Sequence, residues 1–228
     1  KIASSDKVKK VQKDFEATHV RPQRLMKTLF TDEAYVKANV DEARLMRRLF
    51  DLACNMQSHD TDMQLYSLFT DEECYDLWSC NNLYWYLTHA CSPVTDGLMP
   101  YREADLLRNI LDRADAALKE GKNQATLRFG HESCLLPLVA LLELNHYGES
   151  YPDVEKLSEQ WRAYDIFPMA SNVQFVFFHK KGSNDVLVKV LLNEKEAKLP
   201  VKTDVAPYYH WKDVESYYRE KLDKYQHI

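Results

Sequence analysis

Two side chains able to hold an anion and donate a proton stand next to each other in the stretch Leu127-Arg-Phe-Gly-His-Glu-Ser-Cys-Leu-Leu-Pro-Leu138. Residues Ala125 to Phe129 read as a short strand, and the apolar run Ser133 to Leu144 reads as a helix with Pro137 in its first turn, where proline costs least. His131 and Glu132 then lie at the C-terminal end of a strand, where open α/β sheets bind ligands. A helix start presents unpaired N–H groups and a positive dipole end, both favourable to phosphate. An imidazole at that point can contact an anion, and a carboxylic acid can protonate a leaving group. Arg128 shares a strand face with Gly130 and can reach a phosphate from there, although a solvated arginine is the plainer reading. Gly130 and Ser133 complete the candidate binding set. Taken alone, a His-Glu pair after a glycine fits equally well with a histidine satisfied at a strand end.

No metal or cofactor motif accompanies this pair. Position 135 is Leu, so His131-Glu132 does not open an H-E-x-x-H zinc motif. The five cysteines (Cys54, Cys74, Cys80, Cys91, Cys134) are odd in number and include no Cys-x-x-Cys, which argues against zinc. Cys74 and Cys80 fall on different faces of one helix, and buried free thiols are the expectation. Trp78, Tyr84, Trp85 and Tyr86 read as helix-packing aromatics rather than a substrate platform.

The elements around the pair can be read from periodicity. Residues 1–122 read as helix after helix. Thr31-Asp-Glu opens one, and Thr70-Asp-Glu-Glu73 opens another with a capping box. Cys74, Leu77, Trp78, Asn81, Trp85 and Thr88 then recur at helical steps as one face. Ser92-Pro93 ends that helix. Ala104, Leu107, Leu111, Ala114 and Leu118 mark the next, with Gly121 as its C-cap. The period changes at Asn123. Val173 to Phe178 and Val186 to Leu192 are β-branched and aromatic runs joined by Lys-Lys-Gly-Ser-Asn, a hairpin signal with Gly182 available for positive φ. Residues 211–225 read as a polar helix. Residues 124–192 are thus expected to supply three strands. The helix after His131 is apolar on nearly every face and needs burial on several sides, more than so few strands provide.

Composition narrows the partners. The 228 residues carry a net charge of −5 and no basic stripe, which argues against nucleic acid. Lys7, Lys9, Lys10 and Lys13 read as a solvated helix face. No apolar run approaches the roughly 18 residues of a membrane span, and Lys-Ile-Ala-Ser-Ser-Asp holds no signal-peptide core. Only 5 glycines, against 45% hydrophobic residues, suit a largely helical body.

The stretch 127–138 resembles the second signature of the histidine acid phosphatases, in which a strand leads into Gly-His, an acid and a Leu-Leu-Pro-Leu helix. Pro93 to Leu118, Met169 to Phe178 and Val186 to Pro200 are similar to the inositol polyphosphate phosphatase branch, so the resemblance covers most of the chain from about residue 65 onward. It implies an α/β fold: a helical cap domain (1–122), then the C-terminal part of a histidine-phosphatase-like sheet domain (123–228), its sheet incomplete. It also implies phosphomonoester hydrolysis, with inositol polyphosphates of the phytate kind as substrate, through a phosphohistidine formed on an Arg-His-Gly-x-Arg motif. It further implies a secreted or periplasmic protein whose signal is not in this chain. No Arg-His-Gly occurs here, so the chain reads as a C-terminal portion, inactive alone. The alternative is a truncated, non-catalytic binding module of the same fold; an in-frame Arg-His-Gly upstream of Lys1 would favour the enzyme. Within the resemblance His131 steadies the phosphoryl charge and Glu132 is the proton donor, although the inositol phosphatase branch typically places the acid two residues after the His, where Ser133 stands. Ser58-His59-Asp60-Thr61-Asp62 spells a closer His-Asp-Thr. It lacks the preceding strand, the glycine and the Leu-Leu-Pro-Leu helix, and capping by Asp60 or Thr61 accounts for it.

Overall fold

Ser5, Asp32 and Asp41 each precede a helix and accept a hydrogen bond from the N–H three residues on, the cap that offsets a helix's leftover donors. In the computed structural model, which describes residues 2–122 and 124–225, the caps open α1 (Asp6–His19), α3 (Glu33–Asn39) and α4 (Glu42–Asn55), with α2 (Gln23–Leu29) between the first two. Then follow α5 (Asp71–His89), α6 (Ala104–Glu120), α7 (Glu132–Leu141), and the short α8 (Leu157–Gln160) and α9 (Ala163–Ile166). Strands β1 (Val173–His179), β2 (Val186–Leu192), β3 (Lys195–Glu196) and β4 (Tyr209–His210) precede the last helix, α10 (Trp211–Tyr225). Asn123, where the sequence reading places the change of period, lies outside the described residues. The chain divides into two compact units, one Ser5–Tyr84 and the other running from Trp85 onward together with the residues before Ser5.

In the first unit Lys7, Lys9, Lys10 and Lys13 are exposed while Val8 and Phe15 are buried, so the lysines form the solvated face of α1. The Thr70 capping box forms as expected: Thr70 N–H donates to Glu73 Oε2 at 2.9 Å, and Glu73 N–H donates to Thr70 Oγ1 at 3.2 Å. Arg24 grips the same carboxylate through Nε at 2.7 Å, and Arg21 pairs with Asp76 and Glu72. These pairs let two acids join the buried face of α5. The buried stripe runs along Glu73, Asp76, Leu77, Cys80 and Leu83; of the expected face Leu77 and Thr88 are buried, Cys74, Trp78 and Trp85 half-buried, and Asn81 exposed. Two acids can lie inward because each has an arginine to neutralise it.

In the second unit α6 buries Ala104, Leu107 and Leu111 and ends at Gly121 in the left-handed region (φ 64°). Arg219 of α10 bridges Asp112 and Asp115 of α6 at 2.9 and 2.8 Å, and Trp211 Nε1 donates to Asp115. Strand β2 is central: β1 pairs with it antiparallel from Val173↔Leu192 to His179↔Val186, while β3 and β4 share its other edge. Val188, Val190 and Leu192 are buried, alternating as a half-covered sheet requires. Gly182, at φ 82°, turns the expected hairpin.

Three expectations need correction. Residues 125–129 form no strand, because no strand among the described residues lies beside them to accept their backbone hydrogen bonds; the sheet's strands all come from residue 173 onward. Helix α7 starts at Glu132, one residue earlier than expected, so Pro137 is its sixth residue and falls in the second turn. The cysteines are all free, but Cys80 alone of the five is buried and Cys134 is exposed. Burial pushes the Cys80 thiol up to about 12.

Candidate functional site

Helix α7 is a rigid apolar base for whatever its first turn carries. Residues 136–142 are all buried, so the helix is enclosed on every side, as its uninterrupted apolar run requires. Its C-terminal carbonyls are tied down by α10: Lys221 Nζ donates to Leu141 O and Tyr218 OH donates to Leu142 O, both at 2.7 Å.

The first turn is the opposite. His131 is the N-cap residue, in extended conformation (φ −112°, ψ 165°), and its side chain makes no cap hydrogen bond. Its carbonyl accepts from Cys134 and Leu135 N–H at 3.0 and 3.1 Å, the first bonds of the helix. The N–H groups of Glu132 and Ser133 therefore precede the helical ladder. Glu132 is exposed and Ser133 half-buried. The segment leading in, residues 124–131, is exposed throughout, with Leu127 at 75% and Phe129 at 93%. Gly130 is uncrowded, with nothing within 4 Å of where a Cβ would stand. Arg128 donates from Nη2 to Asn109 Oδ1 at 2.8 Å, which ties the segment to α6. Among the described residues no hydrogen bond or ion pair joins Arg128 to His131 or Glu132.

A buried imidazole that the sequence reading did not single out lies in the same electrostatic neighbourhood. His89, at the end of α5, is only 6% exposed, with Nδ1 2.7 Å from Thr88 Oγ1 and its ring 4.7 Å from that of Trp85. Burial holds its pKa down to about 4; Arg102 adds to the depression and Glu132 opposes it. One neutral histidine thus feels both a cation and the candidate acid. The i,i+4 pair Trp85/His89 was the available signal, but it looks like ordinary helix packing. Tyr86, by contrast, is wholly buried, and its hydroxyl accepts from Tyr151 N–H at 2.7 Å, a packing role.

His59 and Asp60 are exposed in a turn of the first unit. Thr61 Oγ1 accepts from Met63 N–H, two residues on, so this hydroxyl braces the turn and does not cap a helix. Asn172 also serves a turn: its N–H donates to Asn193 Oδ1 and its amide to Ala170 O. Among the described residues no cluster of His, Cys, Asp or Glu is arranged to hold a metal, and no helix is long and apolar enough to cross a membrane. A shallow depression on α10, lined by Lys212, Glu215, Arg219 and Lys224 among others, includes none of the candidate residues and mixes both signs of charge. The first turn of α7 therefore offers an imidazole, a carboxyl group and free N–H donors, which together can bind an anion and deliver a proton.

A family model described as the histidine phosphatase superfamily (branch 2) matches residues 2–193. Human multiple inositol polyphosphate phosphatase 1 is 28% identical over 134 residues, which is 53% of this chain and 27% of the human protein. The multiple inositol polyphosphate phosphatase of Bifidobacterium longum superposes with a TM-score of 0.65 in its complex with phosphate, over 97% of this chain and 54% of that one. In its complex with inositol hexasulfate the TM-score is 0.62, over 94% and 52%. Identity to both is 19%, so the likeness is one of fold. The chain spans about half the length of these solved relatives.

Proposed function

The chain belongs to the histidine phosphatase superfamily, branch 2, and from that premise we propose that it supplies the acid half of a phosphomonoesterase site acting on inositol polyphosphates. The observation that carries the reading is the open first turn of α7, where His131 and Glu132 stand exposed on an otherwise buried helix. The relatives' names supply the substrate class.

In this reading the phosphoryl group passes from the ester oxygen to a histidine of an Arg-His-Gly-x-Arg segment and then to water. His131 and the free N–H groups of the helix start hold the phosphoryl oxygens as charge builds on them. Glu132 protonates the departing alkoxide. Residues 1–122 supply the helical cap and residues 123–228 the C-terminal part of the phosphatase domain, in a secreted or periplasmic protein. Segment 124–131, exposed throughout with Leu127 and Phe129 outward, suits a strand that pairs when a neighbouring strand is provided. The sequence holds no Arg-His-Gly, so these 228 residues alone do not turn over. The test is a purified preparation assayed on p-nitrophenyl phosphate and inositol hexakisphosphate at acid pH, with no hydrolysis expected. Turnover that survives purification and disappears in His131→Ala would show that the nucleophile lies within this sequence and would overturn the assignment.

A further inference from the structure

His210 has both ring nitrogens committed to carboxylates. Nδ1 lies 3.1 and 3.0 Å from the two oxygens of Asp185, and Nε2 lies 2.9 Å from Asp204 Oδ1. The three residues come from separate places in the chain. Asp185 ends the β1–β2 turn, Asp204 sits in the loop between β3 and β4, and His210 is in β4, directly before α10. A neutral imidazole carries one N–H donor and one bare nitrogen, and a bare nitrogen facing a carboxylate repels it. Both contacts are satisfied together only in the imidazolium form.

We propose that His210 is an acid-closed clasp, which when protonated ties the β1–β2 turn and the loop before β4 to the root of α10, and which opens as the proton leaves. The elements packed around it supply few other charges. From β2, Lys189 is committed to Glu196 at 3.2 Å and lies over the Tyr208 ring. From α10, Trp211 points its N–H at Asp115. Asp185 and Asp204 are the charged groups that act on His210, and their hydrogen bonds raise its pKa above the ordinary histidine value. A group with a raised folded pKa contributes fully below the unfolded value, about 6.5, and loses its contribution as pH climbs through the folded value. The clasp is therefore closed at acid pH, still closed where a free histidine has half discharged, and open at alkaline pH. All three residues lie at the surface, so added salt weakens it. None of this depends on the roles given to His131 and Glu132.

The experiment uses the whole chain. The His210 ring is titrated by NMR, with its signal identified by loss in His210→Gln. In parallel, amide exchange, corrected for its intrinsic pH dependence, is followed in residues 181–185 and 201–208. The expected result is a His210 pKa above that of free histidine, lowered toward it by Asp185→Asn and by Asp204→Asn. Corrected exchange in both segments should quicken across that titration, by a factor set by the measured shift, since one pKa unit corresponds to a tenfold change in the equilibrium. In His210→Gln the exchange should be fast at both extremes of pH. Should His210→Gln fail to fold, the two Asn variants carry the same test, each freeing its own segment. A His210 pKa at or below the free value, or corrected exchange unchanged through the titration, overturns the proposal.

Discussion

At the start of α5, Thr70 and Glu73 satisfy each other's N–H groups and Arg24 holds the Glu73 carboxylate; at the start of α7, His131 makes no cap bond and Glu132 stands in solvent. Both helices place acids in the first turn, where the dipole favours negative charge. In α5 that charge is taken up inside the protein and stabilises the fold. In α7 it has no ion-pair partner among the described residues and stays available to something outside. An identical preference for acids at a helix start therefore serves stability in one place and, on our reading, chemistry in the other. The difference lies in what else reaches the turn.

The largest effect is expected in a protein that joins this sequence to an Arg-His-Gly-x-Arg segment. There Glu132→Gln should lower kcat by about 10²–10⁴, the usual size of a general-acid contribution, while leaving Tm unchanged. His131→Ala should lower kcat and raise KM, because it removes a contact made in ground and transition states alike. Ser133→Ala is the control for the register in which the acid lies two residues after the histidine. If it costs as much as Glu132→Gln, the donor assignment is wrong.

The mirror substitution, Glu73→Gln, should destabilise the chain by about 1–3 kcal/mol, the range for losing a charged hydrogen bond at a part-buried site. Urea denaturation measures it, and kcat should stay near the parent value. Because Arg24 lowers the Glu73 pKa, this contribution is present above the ordinary glutamate value and fades as pH falls through the folded one. An activity loss without a stability loss would mean that the α5 start, too, serves the reaction.

His89 gives a smaller effect with a distinct pH signature. Its folded pKa is depressed to about 4, so its contribution is complete above the unfolded value and is lost as pH falls between about 6.5 and about 4. Between pH 7 and pH 5 this amounts to on the order of 2 kcal/mol of lost stability. His89→Gln should flatten that part of the curve. An unchanged slope would show that His89 is not held neutral by burial.

Local rules made much of this legible from sequence. The Thr70 box, the Gly121 cap, the Gly182 hairpin and the buried α7 each follow from residues close in the chain. The inward placement of Glu73 and Asp76 on α5 was missed because they enter the interior only with Arg24 and Arg21, about fifty residues earlier. The strand at 125–129 was missed for the converse reason. Its pattern is right, but a strand is defined by its partner, and no described strand lies alongside. His131 and Glu132 stand out in the sequence because they sit in a Gly-His, acid, Leu-Leu-Pro-Leu pattern, whereas His89 and Arg102 come near Glu132 only through tertiary packing.

An acid that protonates the leaving group matters only where the leaving group needs a proton, and that dependence is the test of the role proposed for Glu132. Glu132→Gln and the parent enzyme, both carrying the Arg-His-Gly-x-Arg segment, would be compared on p-nitrophenyl phosphate and on inositol hexakisphosphate. Nitrophenolate leaves without a proton and an inositol alkoxide does not, so the substitution should cost about 10²–10⁴ on the inositol ester and far less on the nitrophenyl ester. Equal losses on the two substrates, or no loss on either, would contradict it.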